Sequence, residues 1–319
     1  MFKRPKVTVV GAGATGSATA HRIATMGLGD IVLLDVVPGI PQGRALDLQQ
    51  AAPLEGFDAR IIGTNDYSDT ADSDVVVITA GSPRKPGMTR EDLLRVNYTI
   101  VKSVTENIAR YSPDCFIIVL TNPLDVMTYV AYRESGFDAS KVMGQSGILD
   151  STRFRTFLAL ELGVALEDTS AIVLGGHGDA MLPLPRYASV GGVPVEQLLS
   201  SDAIRKIVDR TRNGGGEIVN LLKTGSASYA PGAAVAEMVE AIVRNKKRVL
   251  PVAAYLNGEY GHTDVFAGVP VVLGGSGVEK VIELELTASE KEEFGRSVQV
   301  IKTNIYMLYG GNDAGEKVS

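Results

Sequence analysis

The sequence of 319 residues predicts an α/β protein, with a doubly wound parallel sheet over residues 1–145 and a mixed α+β domain over residues 146–319. In the first half, short apolar segments rich in β-branched residues alternate with segments of helical periodicity, which is typical of a parallel sheet with helices on both faces. This alternation stops near residue 145. Because no linker rich in Pro, Gly or Ser interrupts the chain, we expect the two domains to pack closely together.

The first half contains four segments that are almost entirely apolar, as expected for strands buried on both faces. They lie at residues 7–10, 30–35, 75–80 and 116–121. Apolar residues recur at helical spacing between and after them, at residues 15–26, 91–111 and 125–135. Right-handed crossovers between parallel strands then place these helices on both faces of one sheet.

The second half predicts a helix at 149–162, a strand at 169–174 and two hairpin-like strands at 248–256 and 265–273. A last helix is predicted at 289–309. The small and polar residues that follow, 310–319, indicate a frayed tail to which we assign no function. Helices and antiparallel strands in this order indicate a mixed α+β domain.

Composition and charge exclude several classes of function. The formal net charge is −6, and the only tight basic run is Lys246-Lys247-Arg248, so we expect no nucleic-acid partner. No apolar run is long enough to span a membrane. The residues before the first strand do not have the pattern of a secretory leader, so we expect none. The single cysteine, Cys115, adjoins an apolar segment and suits a buried thiol. We therefore expect a cytoplasmic protein.

A glycine-rich segment lies where the first strand gives way to a helix. It reads Gly11-Ala12-Gly13-Ala14-Thr15-Gly16 and matches G-x-G-x-x-G, the phosphate loop of a Rossmann domain. In such a loop the glycines permit a tight turn, close approach to a pyrophosphate and close helix packing. Asp35 ends the next strand, where a carboxylate accepts hydrogen bonds from the adenosine ribose and repels a 2′-phosphate. The segment predicts NAD rather than NADP; the alternative is an ordinary turn followed by a surface aspartate.

Candidate catalytic side chains occur in three segments that also contain glycine: 81–90 with Arg84 and Arg90, 147–153 with Asp150 and Arg153, and 175–179 with His177. A histidine has an unperturbed pKa near 6.5, which suits proton exchange around neutral pH. Asp150 and Arg153 share one helix face, so they serve one pocket or form a structural ion pair. The Gly and Pro content around Arg84 and Arg90 indicates a mobile lid or a solvated basic loop.

These motifs, in this order and spacing, resemble the lactate/malate dehydrogenase family over nearly the whole chain. The resemblance implies that His177 is the general base and that Asp150 orients it. It also implies that Arg153 binds the substrate carboxylate and that Arg90 polarises the substrate carbonyl. Residues on the nicotinamide side would be Asn97, Leu120, Thr121 and Asn122. Asn122 could also contact the substrate oxygen or cap the following helix.

The resemblance also implies a substrate. Arg84 stands where lactate-specific members carry a neutral glutamine, which favours malate and oxaloacetate, whose second carboxylate pairs with a guanidinium. The alternatives are another 2-keto acid, such as pyruvate, and a protein that only binds dinucleotides. Members of this type are dimers or tetramers, so we expect a homo-oligomer. His21 and His262 have no ligand partner at useful spacing, so we expect no metal.

Overall fold

The computed structural model describes residues 4–83 and 87–310; Arg84 lies outside the described residues. The strands, in chain order, are β1 (Lys6–Val10), β2 (Asp30–Leu34), β3 (Ile61–Thr64), β4 (Val75–Ile78), β5 (Phe116–Val119), β6 (Val142–Gly144), β7 (Thr169–Ser170), β8 (Val173–Leu174), β9 (Leu182–Pro183), β10 (Ser189–Val190), β11 (Val193–Pro194), β12 (Arg248–Asn257), β13 (Thr263–Gly274) and β14 (Gly277–Val281). The helices are α1 (Ala14–Thr25), α2 (Ile40–Glu55), α3 (Arg90–Tyr111), α4 (Leu124–Ser135), α5 (Ser146–Leu162), α6 (Val195–Leu198), α7 (Ser201–Leu222), α8 (Tyr229–Val243) and α9 (Ala288–Tyr309).

The predicted fold class is confirmed. Strands β6, β5, β4, β1, β2 and β3 lie side by side in this order, all parallel. Strand order reverses between β4 and β1, the position at which open α/β sheets bind ligands beyond the carboxyl ends of their strands. All four residues of β4 are fully buried, because helices cover both faces of the sheet.

The antiparallel hairpin of the second half extends this same sheet. Strand β12 pairs with β13 along its length and, at Ala253, with Gly144 of β6. Within the described residues, the large sheet therefore has nine strands and spans both halves of the chain. Helix α1 from the first half also packs against α8 from the second. This close packing agrees with the absence of a linker in the sequence.

One predicted element is wrong. The segment 169–174 forms two short strands, β7 and β8, which belong to different sheets. Strand β7 pairs with β10, whereas β8 pairs with β9. The chain changes pairing partners between them, at Ala171 and Ile172, and a run of β-formers in one sequence cannot indicate such a change.

The apolar environment of the cysteine is as predicted: Cys115 is fully buried, and burial raises the pKa of its thiol to about 12.

The basic run after α8 forms ion pairs, since Lys246 pairs with Glu240 at 3.0 Å and Lys247 with Glu279 at 2.5 Å. No helix within residues 4–83 and 87–310 is long and apolar enough to cross a membrane.

Candidate active site

The glycine loop joins β1 to α1 at the carboxyl edge of the sheet. Gly11 has φ +105°, and a Cβ there would lie 2.6 Å from Thr79 Oγ1, so only glycine fits this turn. A Cβ on Gly16 would overlap the carbonyl oxygen of Gly11, so the start of α1 packs directly on the loop. Gly13 caps α1, and among the described residues other than its chain neighbours no atom lies within 4 Å of the place where its Cβ would be. Open space at the positive end of a helix suits a pyrophosphate.

Asp35 follows β2 and holds the same loop. One carboxylate oxygen accepts the backbone N–H of Ala12 at 2.7 Å, and the other accepts the N–H of Val37 at 3.0 Å. Each carboxylate oxygen can accept more than one hydrogen bond, so both keep capacity for ribose hydroxyls. The residues predicted to contact the adenosine half of NAD therefore lie together, and they fit it.

The residues predicted on the nicotinamide side also lie together, at the ends of β4 and β5. The buried Asn97 amide accepts the N–H of Ser82 at 2.7 Å and donates to the carbonyl oxygen of Asn122 at 2.7 Å. Thr121 donates its hydroxyl to the carbonyl oxygen of Ala80 at 2.6 Å. Leu120 is half-buried and continues the register of β5 by donating its N–H to Ile78. Hydrogen bonds from side chains and from the backbone thus fix the strand ends that would face the nicotinamide.

Asn122 is exposed beside this edge. The cap position of α4 is Pro123, with no side-chain cap hydrogen bond, and the Asn122–Pro123 peptide is cis. The capping interpretation of Asn122 is therefore wrong. The exposed amide remains a candidate contact for a substrate or cofactor.

His177, Asp150 and Arg153 meet in one cluster. Nδ1 of His177 lies 2.8 Å from Oδ2 of Asp150, and Arg153 lies 3.1 Å from the other carboxylate oxygen, Oδ1. The Asp150 side chain is 1% exposed, that of Arg153 13% and that of His177 16%. Because a carboxylate only accepts hydrogen bonds, Nδ1 carries the proton and Nε2 is left to exchange one. The predicted ion pair between Asp150 and Arg153 is therefore present, and it lies beside His177.

The surroundings of His177 favour its protonated form. Burial alone would lower the pKa of its imidazole, but the charge of Asp150 and its hydrogen bond to the ring outweigh this effect. The positive charge of Arg153 lowers the pKa of His177, as burial does. The net result is a pKa above the usual value of histidine, so the ring holds a proton more readily at neutral pH.

Arg90 begins α3, where Thr89 and Asp92 form a capping box. Its side chain is 84% exposed, and its guanidinium lies 3.1 Å from Asp179, two residues after His177. The ion pair therefore joins the start of α3 to the histidine loop across solvent-accessible space. A pair this exposed is worth little energetically, so Arg90 can exchange Asp179 for a substrate at small cost.

Two side chains beside His177 were missed in the sequence. Oδ2 of Asp125, on α4, accepts the backbone N–H of His177 at 2.7 Å, and Ser297 Oγ, on α9, accepts the N–H of Gly176 at 2.8 Å. Both residues are buried. Asp125 offered one signal, an acidic residue among the apolar positions of a predicted helix. Ser297 offered none, because a serine in a helix is common.

The remaining histidines have structural partners. His21 lies 2.6 Å from Glu55, and the ring of His262 packs on Phe294. Within the part of the chain that the structure describes, no group of three or more His, Cys, Asp or Glu side chains is placed to hold a metal ion.

Comparison with known proteins gives a consistent result. Residues 5–144 match the lactate/malate dehydrogenase NAD binding domain, and residues 148–308 match the lactate/malate dehydrogenase alpha/beta C-terminal domain. The malate dehydrogenase of Desulforudis audaxviator (strain MP104C) is 61% identical over 301 residues, which cover 94% of this chain and 97% of that protein.

Solved structures share the fold over almost the entire chain. The malate dehydrogenase of Salinibacter ruber superposes with a TM-score of 0.92 at 52% identity, covering 98% of this chain and 100% of that one. The lactate dehydrogenase of Cryptosporidium parvum, complexed with lactic acid and NAD, superposes with a TM-score of 0.94 at 42% identity, with the same coverage. The chain belongs to the lactate/malate dehydrogenase family.

Proposed function

We propose that this protein is an NAD-dependent malate dehydrogenase that interconverts (S)-malate and oxaloacetate. The observation that carries the chemistry is the cluster in which Asp150 binds Nδ1 of His177 with one oxygen and Arg153 with the other. Such a cluster presents a proton acceptor and a carboxylate-binding guanidinium side by side. The full-length similarity to malate dehydrogenases supports the substrate.

The glycine loop and the ends of β2, β4 and β5 would hold NAD. The pyrophosphate would lie against the glycine loop, which consists of Gly11, Ala12, Gly13, Ala14, Thr15 and Gly16. The adenosine ribose would bind to Asp35. Asn97, Leu120, Thr121 and Asn122 would line the nicotinamide side. When bound, NAD supplies the acceptor for the hydride that leaves carbon 2 of malate.

The chain's own side chains would do the rest. Arg153 binds the carboxylate next to the reacting carbon, and Nε2 of His177 takes the hydroxyl proton as the hydride leaves. Asp150 stabilises the resulting imidazolium, since it accepts a hydrogen bond from Nδ1 and carries the opposite charge. Arg90 gives up its ion pair with Asp179 and polarises the substrate oxygen instead. Arg84 binds the second carboxylate.

Initial rates test the substrate directly. NADH oxidation measured side by side with oxaloacetate and pyruvate should give a kcat/KM at least roughly 100-fold higher for oxaloacetate, because pyruvate leaves one guanidinium unpaired. Equal kcat/KM values would point to the second candidate, a dehydrogenase of another 2-keto acid. The similarity to a lactate dehydrogenase of the same fold is the observation that favours this second candidate.

Asp35 should set the cofactor preference by charge. Replacing Asp35 with Ser should lower the ratio of kcat/KM for NAD over NADP by about 10- to 100-fold, because the repulsion of the 2′-phosphate is lost. Asp35→Asn is the matched variant, since it keeps an acceptor oxygen for the N–H of Ala12 but removes the charge. The ratio should fall in both variants; a ratio that Asp35→Asn leaves unchanged contradicts the assignment.

We propose further that the NAD-binding domain spans residues 1–145 and the catalytic domain residues 146–319. A cytoplasmic homodimer or homotetramer acting in the tricarboxylic acid cycle would fit this reaction. Exposed leucines on α2 and α5 support subunit contacts: Leu54 is 91% exposed, Leu160 64% and Leu46 60%. Light scattering of the purified protein would give the number of subunits.

A further inference from the structure

The carboxyl group of Asp125 is buried in a position that a neutral group could serve. The residue is 4% exposed, and its Oδ2 accepts the backbone N–H of His177. Its Oδ1 is buried without a hydrogen-bond partner among the described residues. Removing a carboxylate from water is unfavourable unless charges or hydrogen bonds compensate. The Asp125 carboxylate therefore contributes either its negative charge or only its hydrogen bond to the His177 N–H.

The neighbouring amide shows that anchoring the loop needs no charge. The N–H of Gly176 is held by the neutral hydroxyl of Ser297 at 2.8 Å, whereas the next N–H, that of His177, is held by Asp125 at 2.7 Å. The two hydrogen bonds are equivalent in length and serve consecutive residues. What distinguishes Asp125 from Ser297 is therefore its negative charge, which favours the protonated imidazole of the residue that it anchors.

The position in α4 makes this charge tolerable. Asp125 lies in the first turn of the helix, where the positive end of the helix dipole favours an anion. The same helix begins two residues after Asn122, on the proposed nicotinamide side. Asp125 thus links the cofactor side of the site to the loop that carries His177.

We propose that Asp125 is a positioning residue that fixes the His177 backbone and, through its negative charge, stabilises the protonated imidazole. This inference rests on the proposed role of His177 in proton transfer. Within the described residues, the other charged groups that act on His177 are Asp150 and Arg153, both on α5, while α9 contributes the neutral Ser297. Asp150 and Asp125 favour the imidazolium, and Arg153 opposes it.

The charge of Asp125 is itself sensitive to pH. Burial raises the pKa of its carboxyl to about 6, although the hydrogen bond from His177 acts in the opposite direction. Above this value the ionised carboxylate supports the imidazolium, and below it the support is lost. The two groups therefore titrate as a coupled pair rather than independently.

The test compares Asp125→Asn with Ser297→Ala. Asparagine has nearly the same shape and keeps an acceptor for the N–H of His177 but removes the charge; Ser297→Ala removes the adjacent neutral anchor without changing charge. NMR titration of the imidazole C–H signals is practical because the chain has three histidines, and a His177→Asn variant identifies the relevant signal. Asp125→Asn should lower the pKa of His177 by roughly 0.5 to 1 unit, and Ser297→Ala should leave it in place.

The pH profiles should follow. Malate oxidation requires neutral His177, so its acid limb should move to lower pH in Asp125→Asn. Oxaloacetate reduction requires protonated His177, so its alkaline limb should move to lower pH by the same amount. Ser297→Ala should change kcat/KM without moving either limb.

Each outcome is decisive. An unshifted His177 titration in folded Asp125→Asn overturns the role of Asp125. A shifted titration with unmoved pH limbs supports that role and contradicts the proposed function of His177 instead. If Asp125→Asn does not fold, the unsubstituted protein decides: its His177 titration should deviate from a simple one-proton curve, because the charge of Asp125 also changes with pH, and a simple one-proton curve overturns the proposal.

Discussion

Replacing His177 with Asn should lower kcat by roughly 100- to 10,000-fold, the range that a positioned proton-transfer group contributes. An asparagine amide can still donate a hydrogen bond to Asp150, so the cluster with Arg153 keeps its geometry. It cannot accept the hydroxyl proton of malate, and the loss should therefore fall on kcat rather than on the binding of substrate. Stopped-flow and steady-state rates of NADH formation measure this effect.

His21→Asn is the matched control, because it makes the same substitution at a half-buried residue on α1 that pairs with Glu55. We expect full turnover in that variant. Binding of NADH by fluorescence titration should be unchanged in His177→Asn, which separates lost chemistry from lost folding. Turnover equal to that of the unsubstituted protein would show that another group moves the proton.

The parts of the fold that the sequence predicts correctly are those whose signal is local. A buried parallel strand needs an uninterrupted apolar run, and each of the four predicted runs contains an observed strand, β1, β2, β4 or β5. The glycine loop is equally local. Gly11 and Gly16 are only five residues apart, so the conformation of Gly11 and the close packing of Gly16 both belong to one short turn.

The parts that the sequence does not predict depend on distant partners. Strands β7 and β8 look continuous in sequence but pair with β10 and β9, which lie further along the chain. The extension of the parallel sheet by β12 depends on contact with β6, more than a hundred residues earlier. The same holds for Asp125 in the site. Its proposed role depends on its contact with His177, 52 residues away, and no spacing rule connects the first turn of a helix to a later loop.

The substrate preference should reverse in part when Arg84 is replaced with Gln. Its role is proposed from the sequence, since it lies outside the described residues. In a closed pocket, glutamine removes the bidentate partner of the second carboxylate of oxaloacetate and also the unpaired charge that opposes pyruvate. We expect kcat/KM for oxaloacetate to fall about 100-fold or more, with a gain for pyruvate. Steady-state NADH oxidation with both acids gives the ratio.

Two further variants separate specific pairing from general electrostatics. Lys85→Gln removes one positive charge from the same segment, so a similar loss there would mean that the segment only attracts dianions from solution. Arg84→Lys keeps the charge but loses the planar fork, and should retain the preference for oxaloacetate at reduced kcat/KM. A ratio of the two acids that Arg84→Gln leaves unchanged would remove Arg84 from the pocket. Discrimination would then have to come from other residues of the site.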